Sequence, residues 1–240
     1  MYKERSYRRW VKNGDLVSFE VVEKETDLFI SATKKLENEA RQSILNYRKD
    51  LEDYIKKDKR FFTSLEPVEI REDAPAIVRA MAGAAGKCGV GPMAAVAGAV
   101  AEFVGRDLLV KSNQVIIENG GDIFIRSGKK RVMGIFAGEK SPFTGKLALE
   151  IPPSEKGLGV CTSSGTVSHS LSFGRADAAL IISDDTALAD AAATVAGNAA
   201  KGARDIEKAI ALVRAIDGVK GVLILIGDSM GSWGEIQLVQ

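Results

Sequence analysis

Residues 74–105 constrain the fold of this chain more than any other stretch. They read APAIVRAMAGAAGKCGVGPMAAVAGAVAEFVG, mostly alanine and glycine. The spacing predicts two helices whose small residues permit close packing on a sheet. One runs up to about Ala85. The other starts near Pro92, since proline is tolerated in a first turn. GKCGVGP turns the chain between them. GKCGVG mimics a glycine-rich phosphate loop, but it lacks the GK[ST] ending and follows a helix instead of a strand.

The flanking sequence supplies the sheet. SFEVVEKETDLFISA (18–32) reads as two short strands around a charged turn, with Val21, Leu28 and Ile30 on alternating faces. An amphipathic helix follows over about 34–57, and Pro67 breaks the chain beyond it. QVIIENG (114–120) and DIFIRSG (122–128) are strands, as are RVMGIFA and KLALEI. The second half begins again. GVCTSS ends a strand and DAALIIS (177–183) is a buried one. DDTALADAAATVAGNAAKG is a helix capped by its acidic start. DIEKAIALVRAI is an amphipathic helix, and GVLILIG is a strand whose hairpin partner is expected in GEIQLV. Strands, then helices, then strands recur in both halves. This order favours an α+β fold with helices on one face of mainly antiparallel sheets. The 240 residues form a single domain, 1–240, which the repeated order allows to be two intimately packed pseudo-repeats, about 15–130 and 131–240.

Composition excludes several functions. The chain has 45% hydrophobic and 27% charged residues, as in a globular protein with a sizeable core. A net charge of +1 gives no global field for nucleic acid or an anionic membrane. No apolar run approaches the ~20 residues that span a bilayer. The basic start MYKERSYRRW lacks a signal peptide's apolar region, so a cytoplasmic location is expected. Cys88 and Cys161 then read as reduced thiols, and with one histidine they make a poor zinc set. A homo-oligomer is compatible with the long charged helix.

Three short segments could carry chemistry. ENGGDIF (118–124) places Gly120 and Gly121 between Asn119 and Asp122. On spacing alone this is first a hairpin turn, and second a place where a ligand meets bare backbone. In LADAAATVAGN (188–198), Asp190 and Thr194 lie four apart on one helical face. A carboxylate and a hydroxyl so placed can reach one hard cation. The same pair also suits an ordinary helix, Asp190 by favouring the dipole and Thr194 by bonding back to the preceding turn. CTSSGTVSHS (161–170) holds Thr162, Ser163, Ser164 and His169, the only histidine. A serine or cysteine hydrolase centred on His169 lacks its GxSxG elbow. A row of hydroxyls after a strand suits phosphate or ribose better, with His169 as general acid or charge partner.

VIIENGGDIFI, CTSSGTVSHS and LADAAATVAG, in this order after an Ala/Gly-rich helix, resemble the ApbE-like proteins. These are flavin transferases that use FAD and Mg²⁺ to attach FMN to a threonine of a target protein. The resemblance covers about residues 80–200 and looks closest to an uncharacterised branch without an export signal. It implies a duplicated T-fold-like architecture. It implies Mg²⁺ at Asp190 and Thr194, and flavin nucleotide near Asn119, Gly120, Gly121, Asp122, Thr162, Ser163 and Ser164. His169 lies near the family's histidine motif. Where the transferases carry a lysine and an aspartate, this chain has Pro92 and Ala97 within GVGPMAAVA (89–97). The implied activity is Mg²⁺-dependent phosphoryl transfer or hydrolysis at the FAD pyrophosphate, with an acceptor protein as partner. The alternative is a flavin- or nucleotide-binding protein of the same fold without catalysis.

Overall fold

A computed structural model describes residues 14–139, 141–165 and 174–239. The basic start of the chain and His169 lie outside them. The described residues run through β1 (Val17–Glu23), β2 (Thr26–Ala32), α1 (Glu37–Lys57), α2 (Arg60–Thr63), α3 (Ala76–Cys88) and α4 (Val96–Leu108). Then come β3 (Val115–Asn119), β4 (Asp122–Ser127), β5 (Arg131–Gly134), β6 (Ala148–Ile151), β7 (Ser154–Ser163) and β8 (Ala178–Ser183). The last elements are α5 (Thr186–Ala199), α6 (Ile206–Arg214), β9 (Val219–Ile226), β10 (Ser229–Gly234) and β11 (Leu238–Val239).

Eight strands form one sheet in the order β1-β2-β3-β4-β7-β8-β9-β10, and every neighbouring pair is antiparallel. Two strands, helices and two more strands make up each half of it. The helices cover one face, with α4 against β3 and β4, and α5 against β7 and β8. The expected α+β architecture is therefore present. The opposite face is covered in its middle by a second sheet, β11-β6-β5. Apolar runs such as AALIIS in β8 follow from this sandwiching. Ala179 and Ile181 face the helices, while Ala178, Leu180 and Ile182 face the small sheet with Leu149 and Ile151. Among the described residues no single helix is long and apolar enough to cross a membrane.

Small residues act where the sequence placed them. α3 runs to Cys88, three residues past the expected end, and stops at Gly89 in the left-handed region (φ 66°). Gly89 N–H reaches the Ala85 carbonyl, so the terminator is the glycine that tolerates this backbone. Pro92 opens a 3₁₀ turn, Pro92–Ala95, that leads into α4. Gly98 lets α4 cross α5 at backbone contact, since a Cβ there would fall 2.4 Å from the Thr186 carbonyl oxygen. At the start of α5 the Asp185 side chain accepts the Leu188 N–H at 3.0 Å, the expected cap.

One strand assignment needs correction. The partner of β9 is SMGSWG (β10), paired from Ile226↔Ser229 onward, and not GEIQLV. A turn at Gly227 (φ 60°) and Asp228 reverses the chain at once. β10 is an exposed edge strand, so it needs no apolar alternation and gives no signal. The apolar residues of GEIQLV, Ile236 and Leu238, pack instead on the core beneath the small sheet, and Leu238 pairs with Leu149 in β6.

Candidate functional site

The site gathers where four segments end together. β3 and β4 are joined by a two-residue turn, with Asn119 opposite Asp122. Gly120 (φ 72°) and Gly121 (φ 106°) both take the left-handed region, as such a turn requires. The ENGGD segment is thus a hairpin turn, and the turn also carries polar groups into the site. Glu118 is buried and accepts the Gly121 N–H at 2.8 Å. Asn119 donates to the Ala97 carbonyl at 3.0 Å, which fixes the turn to the first turn of α4.

Asp122 is buried at the start of β4. Its carboxylate accepts the Thr162 N–H of β7 at 3.3 Å. This bond brings the Thr162–Ser164 segment beside the turn, where Thr162 is half-buried and Ser163 and Ser164 are buried. Asp190, on the second turn of α5, accepts the Gly98 N–H at 2.9 Å. It also accepts from Ala97 N–H, so the start of α4 is aimed at its carboxylate. Thr194 follows one turn later on α5 and is half-buried. The fold therefore assembles Gly98, Asn119, Gly120, Gly121, Asp122, Thr162 and Asp190 around one spot, with Gly98 and Asp190 92 residues apart in the chain.

The electrostatics are those of crowded carboxylates. Burial pushes Asp190 up to about 7, against the lowering effect of the two backbone N–H groups. Burial, and then the charge of Asp190, push Asp122 well above the usual carboxylate range. Among the described residues no lysine or arginine offsets either charge. Nor do three His, Cys, Asp or Glu side chains converge there to hold a metal by themselves. Hard oxygen donors in excess negative charge, short of a full cage, suit Mg²⁺. That ion binds through one or two carboxylates and leaves positions for water and substrate phosphates. Asp190, with Thr194 one turn on, fits this donor chemistry.

Three participants are not apparent from sequence spacing. Glu118 is one, although it stands inside the quoted motif. The backbone of Ala97 and Gly98 is another, and no side-chain pattern signals it. Cys161 is the third. Its thiol lies 3.4 Å from the Thr186 carbonyl and within hydrogen-bond reach of Asp122. Burial and both carboxylates push that thiol up, so Cys161 stays protonated and makes a poor nucleophile.

With this geometry in view, solved structures of the same architecture can be compared. The flavinyl transferase ApbE of Pseudomonas stutzeri, in its apo form, matches with a TM-score of 0.58 at 14% identity, over 91% of this chain and 94% of that one. The flavin transferase ApbE of Vibrio cholerae matches with a TM-score of 0.58 at 12% identity, over 92% and 97%. At such identity the likeness establishes the fold. The family follows from sequence: the chain belongs to the family described as AbpE bacteria, whose model matches residues 8–218. Among its relatives, a UPF0280 protein of Methanocella arvoryzae is 42% identical over 214 residues, 89% of this chain and 86% of the relative. A UPF0280 protein of Methanosarcina acetivorans is 44% identical over 200 residues, 82% and 78%.

Proposed function

We propose that this protein is a Mg²⁺-dependent flavin-nucleotide enzyme of the ApbE type, acting at the pyrophosphate of FAD. The observation that carries the reading is the pair Asp122 and Asp190. The two arrive from different halves of the chain beside a glycine turn, with no cation among the described residues to offset them. Asp190 and Thr194 would hold the ion, which when bound supplies charge neutralisation on phosphate oxygens. Gly120 and Gly121 bring no side chain of their own to the turn, so a ligand can approach its backbone, although the Gly121 N–H is already taken by Glu118. Asn119 and Asp122 hold that turn against α4 and β7. Thr162 to Ser164 offer hydroxyls to phosphate or ribose. His169 is assigned proton transfer to the leaving group or from the attacking hydroxyl. The acceptor is a protein hydroxyl, or water when no protein partner is present.

A second reading is a flavin- or nucleotide-binding protein without catalysis. It is favoured by Ala97, whose position in the first turn of α4 carries no ionisable side chain. One experiment separates the two. FAD is titrated into the purified protein with and without Mg²⁺, and the nucleotides are then chromatographed. FMN or AMP appearing only with Mg²⁺, and not in Asp190→Asn, supports the enzyme. Binding without products supports the carrier, and absence of binding removes both.

A further inference from the structure

We infer that Glu102 is the positioning residue of this site: from α4 it fixes how α5 presents Asp190 and Thr194. The inference rests on the reading of the site given above. Glu102 is a buried carboxylate, 7% exposed. Its Oε2 accepts the N–H of Thr186, the first residue of α5, at 2.7 Å. Its Oε1 accepts from Arg106 Nε at 2.8 Å and Nη2 at 2.6 Å. The first N–H groups of a helix have no partner within it, and here α4 supplies one.

The bond is half of an exchange. Asp190 of α5 accepts the Gly98 N–H of α4, one turn before Glu102 on the same helix. The two helices meet near their N-terminal ends, and each receives a carboxylate from the other there. The exchange sits at their closest approach. A Cβ on Gly98 would fall 2.8 Å from Asp190 Cβ, and one on Gly159 of β7 would fall 2.6 Å from Thr186 Cα. Thr186 is thus clamped between α4 and the sheet, fully buried. Asp190 lies one turn beyond it on α5, so a shift of that first turn carries over to the carboxylate. Glu102 faces Thr186 and Arg106, not the glycine turn, so it acts through α5.

The test uses the full chain and Mn²⁺ alone as probe, with free Mn²⁺ read by electron paramagnetic resonance beside a thermal midpoint. The wild type should bind Mn²⁺ and Asp190→Asn should not. Glu102→Ala should raise the Mn²⁺ Kd about 10-fold in protein that remains folded, the low end of the ~10–100-fold range for a group bonded directly to a ligand, since Glu102 acts through the backbone of α5. Glu102→Asp retains the charge but is one methylene short, and should also raise Kd; it serves if Glu102→Ala does not fold. Glu102→Gln, whose amide oxygen still accepts from Thr186, should bind close to the wild type. Arg106→Ala, which removes only the exposed partner, should as well. A lowered midpoint with unchanged Kd in Glu102→Ala or Glu102→Asp would mean a merely structural role and overturn the inference. Absence of Mn²⁺ binding by the wild type would overturn the reading of the site, and the inference with it.

Discussion

Asp190→Asn should stabilise the metal-free protein, and the gain should depend on pH. In the fold the Asp190 carboxyl is raised from 3.8 to about 7, first by burial. Between those values the unfolded chain is ionised while the folded chain keeps the proton. The unfolded state then binds fewer protons, so stability falls as pH rises from about 4 to about 7. At ~1.4 kcal/mol per pH unit the ceiling is ~4 kcal/mol. Asp190 is half-buried, so solvent screening reduces this to ~2 kcal/mol. Asparagine keeps an oxygen that accepts the Gly98 N–H and carries no charge. Relief of the repulsion on Asp122 acts in the same direction. The gap between variant and wild type should be near zero at pH 4 and reach ~2 kcal/mol above pH 7, roughly 4–8 °C in thermal midpoint. Urea unfolding in EDTA at pH 4, 6 and 8 reads it. A gap that does not change with pH, or a variant less stable than wild type at pH 8, would refute the reasoning. Added Mg²⁺ should reverse the order at pH 8, because it binds the ionised wild type.

Two further outcomes follow from the same region. Gly121→Ala should lower stability by about 1–3 kcal/mol in a urea titration, through backbone strain at φ 106°. Its Cβ would stand 3.6 Å from the Thr162 carbonyl oxygen, so crowding adds nothing. Cys88, pushed up to about 12, first by burial, and the buried Cys161 should both resist a thiol reagent in native protein at pH 8 and react promptly in urea. Fast native labelling of Cys161 would show that the contact between β7 and α5 opens.

Much of the fold was legible because its signals are local. Alternation in β1, the amphipathic stripe of α1, the Asp185 cap and the glycine pair of the β3–β4 turn each depend on neighbours within a few residues. The motif order from 118 to 194 likewise pointed to the ApbE-like family. The edge strand β10 was hidden because an exposed edge places no demand on its side chains. The small sheet's position was hidden because nothing in RVMGIFA or KLALEI says which face it covers.

For the site, the sequence alone determined which side chains were available: Asn119, Asp122, Thr162, Asp190 and Thr194, each with an ordinary reading that local spacing left standing. Tertiary structure decided which of them meet. Asp122 and Asp190 acquire raised affinities for protons only because the fold buries the first, half-buries the second and brings them within range of each other. Ala97 and Gly98 matter through backbone N–H groups, which every residue but proline has and which only an oriented helix start aims at a carboxylate. Glu102 is four residues from Arg106, a spacing that joins them on one helix, yet its second oxygen finds Thr186, 84 residues away, only once α4 and α5 have crossed.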